Sequence, residues 1–148
     1  MIHERVLSAQ RGENPTVLCR MESGWAVMAD MQILNGYCLL LPDPVPPDLN
    51  TLNLAERVTF LRDMSLIGDA LLEVTGAVRI NYEILGNSDP ALHAHIIPRY
   101  DAEPETMRKG PVWFYDLSQA PPLDLERYKP MMDSIRAAIK KRMEALGN

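Results

Sequence analysis

Two histidines, His93 and His95, are separated by a single residue, and the chain contains only three histidines in all. Imidazole changes its protonation state near neutral pH, so it can act as a nucleophile, carry a proton or bind a metal. Residues two apart in a β-strand point to the same face of the sheet. The segment around them alternates with apolar residues, which predicts a strand. Both imidazoles should therefore share one face, with the apolar core on the other.

Three kinds of site would fit this pair. The first is a structural pair whose rings are half-exposed and hydrogen-bonded. The second is a metal site, although a catalytic zinc takes about three protein ligands. The spacing does not identify a third ligand among Asp30, Asp43 and the cysteines. The third is nucleophilic catalysis, in which one neutral imidazole attacks phosphorus and the other contacts the phosphoryl oxygens.

Composition narrows the class of protein. A chain of 148 residues is the usual length of one domain. The 15 basic and 20 acidic residues give a net charge of −5, which argues against a nucleic-acid partner held by a broad basic face. No apolar run is long enough for a secretory leader or a membrane span, so a cytoplasmic protein is expected. Cys19 and Cys38 lack any metal or disulfide spacing and are expected to be reduced and half-buried in strands.

Hydrophobic patterning and turn signals predict the elements that must position the histidines. Strands are predicted over residues 16–21, 25–29, 37–41, 77–83 and 93–99. The first 15 residues are predicted to form a short helix or an irregular arm, and a last helix should run from about residue 125 or 130 to 146. Three successive strands, a helix and two more strands favour an antiparallel α+β domain.

A long amphipathic helix is predicted after the third strand. Asn53 and Glu56 have the spacing of a capping box, and Gly76 is suited to the end of the helix. Apolar residues between these points recur every three or four positions, which predicts that they form the buried face. These residues are Leu54, Val58, Leu61, Met64, Ile67, Leu71 and Val74.

The histidine segment, Leu92–Arg99, resembles the signature of the histidine triad (HIT) family, in which histidines alternate with apolar residues before a Pro-Arg pair. Residues 25–30 and 36–42 are similar to the nucleoside-pocket strands of that family, and the turn at 85–87 lies where the family has polar residues. The resemblance covers about residues 17–99. One position departs from the pattern, because Ala91 stands where the family has its first histidine.

The resemblance implies a HIT-like α+β fold with a five-stranded antiparallel sheet and two main helices. Residues 1–148 would form a single domain, with a core at about 16–100 and a C-terminal irregular segment and helix at 101–148. It also implies that the protein is a homodimer and that its activity requires no metal or other cofactor. The implied partner is a purine nucleotide or nucleotide conjugate, such as a dinucleoside polyphosphate or a nucleoside phosphoramidate.

The resemblance also assigns roles. His93 would attack the α-phosphate and become transiently nucleotidylated, while His95 would contact phosphate oxygens and help the leaving group depart. The remaining implied contacts are all to substrate: Asp30 to the ribose, Asn81 and Asn87 to the phosphate, and Val27 and Leu18 to the base. The implied activity is that of a nucleotide hydrolase or nucleotidyl transferase. Two alternatives stay open: a nucleotide-binding protein with little catalysis, suggested by Ala91, and a metal-dependent hydrolase.

Overall fold

A computed structural model describes residues 1–147 and contains four α-helices and one five-stranded sheet. The strands are β1 (Val17–Arg20), β2 (Gly24–Met28), β3 (Cys38–Pro42), β4 (Arg79–Glu83) and β5 (Ala94–Arg99). The helices are α1 (Ile2–Gln10), α2 (Leu54–Thr75), α3 (Glu105–Arg108) and α4 (Leu125–Leu146). All neighbouring strands are antiparallel, in the order β1-β2-β3-β5-β4. The predicted α+β class and antiparallel five-stranded sheet are confirmed.

The ends of α2 form as the sequence predicts. The Asn53 side chain accepts a hydrogen bond from the backbone N–H of Glu56 at 2.9 Å, and the Glu56 carboxylate accepts one from the Asn53 N–H at 2.9 Å. These bonds satisfy two N–H groups that the first helical turn leaves without partners. Gly76 ends the helix at φ 73°, a left-handed conformation that glycine adopts without steric cost.

The predicted buried face of α2 is wrong in its first half. Leu54 and Val58 are 73% and 66% exposed, whereas Phe60, Ile67 and Leu71 are fully buried. Two apolar stripes overlap on this helix, and both have helical spacing. Periodicity could not show which stripe would face the sheet, because that choice depends on how the helix is rotated against the strands.

Both faces of the sheet are covered. The larger apolar cluster packs α2 and α4 against one face, through residues such as Ile67, Ile96 and Ile135. The smaller cluster packs α1 and the turn at 112–114 against the face that carries the histidines. Ala91 and Ile97 are fully buried there, so the expectation that only one face is buried is wrong. Residues of α1 and α4 belong to these clusters as well.

The strand register aligns one row of residues across the sheet. Val17 pairs with Val27, Val27 with Leu39, Leu39 with His95, and His95 with Glu83. Directly opposed residues of antiparallel strands share a face. His95 therefore lies between an apolar neighbour on β3 and a carboxylate on β4.

Two sequence expectations concern the chain as a whole. Cys19 and Cys38 are both free thiols in strands, as predicted, and both are buried rather than half-buried. Burial raises the pKa of the Cys19 thiol to about 11, so it stays protonated at neutral pH. Within residues 1–147, no helix combines the length and apolar character that a bilayer span requires.

Candidate active site

His93 lies just before β5, and its half-buried ring is fixed by the backbone. Its Nδ1 is 2.8 Å from the carbonyl oxygen of Ala91. A carbonyl oxygen can only accept a hydrogen bond, so Nδ1 of the neutral ring must carry the proton. Nε2 is then left with a free lone pair, which is the atom a nucleophilic imidazole needs.

His95 lies within β5, and its ring centroid is 4.9 Å from that of His93, with the planes at 66°. Its Nδ1 is 2.5 Å from the hydroxyl oxygen of Tyr37. Burial, and to a lesser extent the neighbouring His93, lowers the pKa of His95 from 6.5 to about 4. The ring is therefore neutral at pH 7.

A cavity of about 300 Å³ opens beside the two rings. It is lined by the histidines and by the connection from β4, through Leu85, Gly86, Asn87, Ser88 and Asp89. Gly86 adopts φ 78°, which lets this connection turn towards the rings. The turn is tied to α1, because the Asp89 carboxylate accepts a hydrogen bond from the Ile2 N–H at 3.2 Å.

Two residues that sequence reasoning missed complete the surroundings of His95. Glu83 is its neighbour on β4, and Trp113 lies edge-on to its ring with centroids 5.4 Å apart. The indole N–H of Trp113 donates a hydrogen bond to the Glu83 carboxylate. The alternation of β4 marks Glu83 as sharing a face with Asn81, but no sequence signal gives its register against β5.

Comparisons with known proteins place this arrangement in a fold. No protein-family model matches the chain, and no curated protein sequence matches it. Solved structures do match: a histidine triad protein from Marinobacter aquaeolei has a TM-score of 0.76 at 21% identity, over 95% of this chain and 96% of that one. This chain has the fold of the histidine triad proteins.

Two further similar structures are of a nucleotide-binding protein and of a zinc-bound protein. A hypothetical histidine triad nucleotide-binding protein from Sulfolobus tokodaii has a TM-score of 0.73 at 15% identity, covering 93% of this chain and 92% of that one. A Zn-bound histidine triad family protein from Mycobacterium smegmatis has a TM-score of 0.66 at 16% identity, covering 91% and 94%. The HIT-like fold expected from residues 17–99 thus spans nearly the whole chain.

The residues predicted to contact the substrate lie in different parts of this HIT fold. Asn87 lines the cavity beside the histidines. Val27 is on the histidine face, two strands from His95, but it has no exposed surface. Asp30 follows β2, and its side chain is 68% exposed and paired with Arg5 at 3.3 Å. It is outside the residues that line the histidine cavity.

Leu18, the other residue predicted to wall the base, does not share the histidine face of the sheet. The register shifts between Val17 and Cys19, an irregularity of the β-bulge type. Leu18 packs with the α2–α4 cluster on the opposite face of the sheet, while its neighbour Val17 packs with the cluster on the histidine face. Alternation alone could not show which of these two apolar neighbours shares a face with the histidines, because that depends on how β1 pairs with β2.

Asn81 belongs to a different polar cluster. Its side-chain oxygen accepts a hydrogen bond from Arg99 at 2.7 Å. Arg99 is buried and also forms a two-bond ion pair with Glu103, at 3.1 and 2.9 Å. This cluster holds the chain after β5 against the sheet. We therefore assign Asn81 to the support of that segment rather than to the histidine site.

The third histidine of the chain, His3, is not part of this site. Ala91 is fully buried in one cluster with Ile2 and Val6 of α1. His3 is on the same helix, but its side chain is exposed to solvent. Within residues 1–147, no group of three or more His, Cys, Asp or Glu side chains converges in a way that could hold a metal ion.

Proposed function

We propose that this chain is a nucleotide hydrolase or nucleotidyl transferase that acts at the α-phosphate of a purine nucleotide conjugate. The observation that carries the proposal is the hydrogen bond from His93 Nδ1 to the Ala91 carbonyl oxygen at 2.8 Å. That bond leaves the Nε2 lone pair free on a ring that lines the cavity. A neutral, oriented imidazole is a competent nucleophile without a metal.

The reaction divides into two displacements at phosphorus. In the first, a bond forms between His93 Nε2 and the α-phosphorus, and the bond from phosphorus to the leaving group breaks. The leaving group departs with that electron pair and takes a proton from water. In the second, water or an acceptor hydroxyl attacks the phosphorus, loses its proton to solvent, and releases Nε2 with the electron pair of the P–N bond.

The cavity supplies donors for the phosphoryl oxygens, on which negative charge develops. We assign this role to His95 and to the amide group of Asn87. Asp30 is the proposed ribose ligand, since a carboxylate accepts hydrogen bonds from both hydroxyls of a cis-diol. This requires the exposed carboxylate to exchange its contact with Arg5 for the ribose. The scheme uses no cofactor.

A nucleotide-binding protein with little catalysis is the second candidate. Two observations favour it: Ala91, which we propose stands at the first triad position, is fully buried, and Glu83 is the β4 neighbour of His95. A carboxylate near a phosphate raises the energy of a transition state that gains negative charge. The structure from Sulfolobus tokodaii described as nucleotide-binding is consistent with this second function.

The deciding experiment uses purified protein and a panel of adenosine and guanosine phosphoramidates and dinucleoside polyphosphates. We expect turnover of at least one class and, after an alkaline quench, a nucleotidyl group mapped by mass spectrometry to His93. His93→Gln should abolish both signals. His3→Gln is the matched control, because it changes an exposed histidine outside the cavity, and it should retain turnover.

Other outcomes would select the alternatives. Tight binding of a nucleoside monophosphate with no turnover, changed by His93→Gln only in affinity, would establish the binding protein. Loss of activity with a chelator, together with stoichiometric zinc by elemental analysis, would establish a metal-dependent hydrolase. Turnover that persists in His93→Gln would refute the covalent route.

We also propose that the chain forms a homodimer. Apolar side chains of α2 remain exposed along one stripe, and β4 is an edge strand with Tyr82 40% exposed. The exposed α2 residues are Leu54, Val58, Leu61 and Leu72. A second copy covering this stripe would remove it from water. Light scattering after size exclusion should give twice the chain mass, and Val58→Asp should reduce it to the chain mass.

A further inference from the structure

We propose that Tyr37 is a positioning residue for this site, whose hydroxyl group donates to Nδ1 of His95 and holds that ring in the tautomer with its proton on Nε2. The catalytic role of Tyr37 rests on the proposed function. The tautomer assigned to His95 rests on geometry alone. The contact joins β5 to the residue just before β3, 58 positions apart in the chain.

The direction of this hydrogen bond follows from the burial of Tyr37, which is 6% exposed. Its hydroxyl oxygen is 2.5 Å from His95 Nδ1, and this is the hydrogen bond formed by that hydroxyl within residues 1–147. If Nδ1 carried a proton and donated it, the phenolic proton would be buried without an acceptor. An unpaired buried donor is costly, so the phenol donates and Nδ1 accepts.

Burial, more than the titratable groups nearby, keeps both partners neutral. Glu83 approaches from β4, His93 precedes β5, and Arg5 belongs to α1. Burial first, and the negative charge of Glu83 second, raise the pKa of Tyr37 above its ordinary value. Burial lowers the pKa of His95 to about 4. Neither group ionises at pH 6–8, so the tautomer is fixed across the range in which an enzyme of this kind would work.

The two imidazoles are therefore held in opposite tautomers, with ring centroids 4.9 Å apart. His93 presents a lone pair on Nε2, and His95 presents an N–H. A phosphoryl group between them would be attacked by the first ring and would accept a hydrogen bond from the second. His95 keeps its proton throughout, because losing it would leave an imidazolate or a buried tyrosinate. The proton for the leaving group comes from water.

The test compares Tyr37→Phe with Tyr100→Phe in protein labelled with nitrogen-15 in the histidine rings. Phenylalanine keeps the packing volume and removes only the donor. Tyr100 is the matched control, since it packs against the same cluster and bonds to the Asn35 carbonyl instead of a histidine. His93→Gln and His3→Gln assign the His95 resonances by elimination.

In wild-type protein at pH 7, His95 should show a protonated Nε2 and an unprotonated, hydrogen-bonded Nδ1. Tyr37→Phe should shift the Nδ1 resonance and allow both neutral tautomers. It should lower kcat about tenfold with KM nearly unchanged, because the net value of one hydrogen bond, about 1.4 kcal/mol, is a factor of ten. Tyr100→Phe should leave the His95 resonances in place and turnover within about twofold, as expected when no contact with the ring changes.

A protonated Nδ1 on His95 in wild-type protein would overturn the proposal, and this measurement does not depend on Tyr37→Phe folding. A Tyr37→Phe protein with unchanged His95 resonances and unchanged kcat would also overturn it. Absence of turnover in wild-type protein, with the expected tautomer present, would instead refute the proposed function and leave the role of Tyr37 in setting the tautomer intact.

Discussion

Replacing Glu103 by glutamine should destabilise the protein strongly, because it leaves a buried guanidinium without its counter-charge. The Arg99 and Glu103 side chains are 5% and 3% exposed. All five N–H groups of Arg99 are used: two bond to Glu103, one to Asn81, and two to the carbonyl oxygens of Met107 and Gly110. The charge can neither reach water nor find another acid among these contacts.

The expected magnitude follows from the burial of the pair. Removing one partner of a buried ion pair costs about 3–5 kcal/mol. A chain of this length has an unfolding entropy near 0.3 kcal/mol per kelvin, so the thermal midpoint should fall by about 10–16 °C. Thermal and urea unfolding followed by far-UV circular dichroism would measure it. Glu105→Gln is the control, because Glu105 is 76% exposed and 3.7 Å from Lys109.

The control should lower the midpoint by less than about 3 °C, as an exposed ion pair contributes little.

The pH dependence of stability gives a second test of the same ion pair. Burial raises the pKa of Glu103, but hydrogen bonds from Arg99, the Tyr100 N–H and Tyr115 lower it by a larger amount. The net effect is a pKa below the usual value. The stability that Glu103 contributes is thus present above its unfolded pKa and is lost in acid. A midpoint for Glu103→Gln within the range of the control at pH 7 would refute this reasoning.

Two further predictions concern His95 and α2. Because the pKa of His95 falls from 6.5 to about 4 on folding, the unfolded chain takes up the proton first, and the free energy of unfolding should decline between about pH 6.5 and pH 4. Urea titrations should show a smaller decline in His95→Gln, and an equal decline would contradict the shift. Asn53→Ala should cost about 1 kcal/mol, or about 3 °C in the thermal midpoint, through loss of the capping box; no change in circular-dichroism melting would argue against that cap.

Local signals predicted the local structure well. The capping box at Asn53 and Glu56 and the helix end at Gly76 both form, because each depends on residues within one or two turns. The strands also form near their predicted positions. The errors arose where packing between distant elements decides the outcome. The rotation of α2 exposes Leu54 and Val58, and the pairing of β1 with β2 puts Val17 on the histidine face and Leu18 on the opposite face.

The sequence by itself determined that His93 and His95 share a face and that an apolar set lies behind them, since strand alternation fixes both. It also determined that alanine, and not a third histidine, lies two residues before His93. Only the tertiary structure decided what each imidazole can do. The Ala91 carbonyl oxygen fixes the tautomer of His93 through a backbone turn, and Tyr37 reaches His95 from 58 residues away. Contacts of this kind depend on sheet register and on helix placement, which no local pattern encodes.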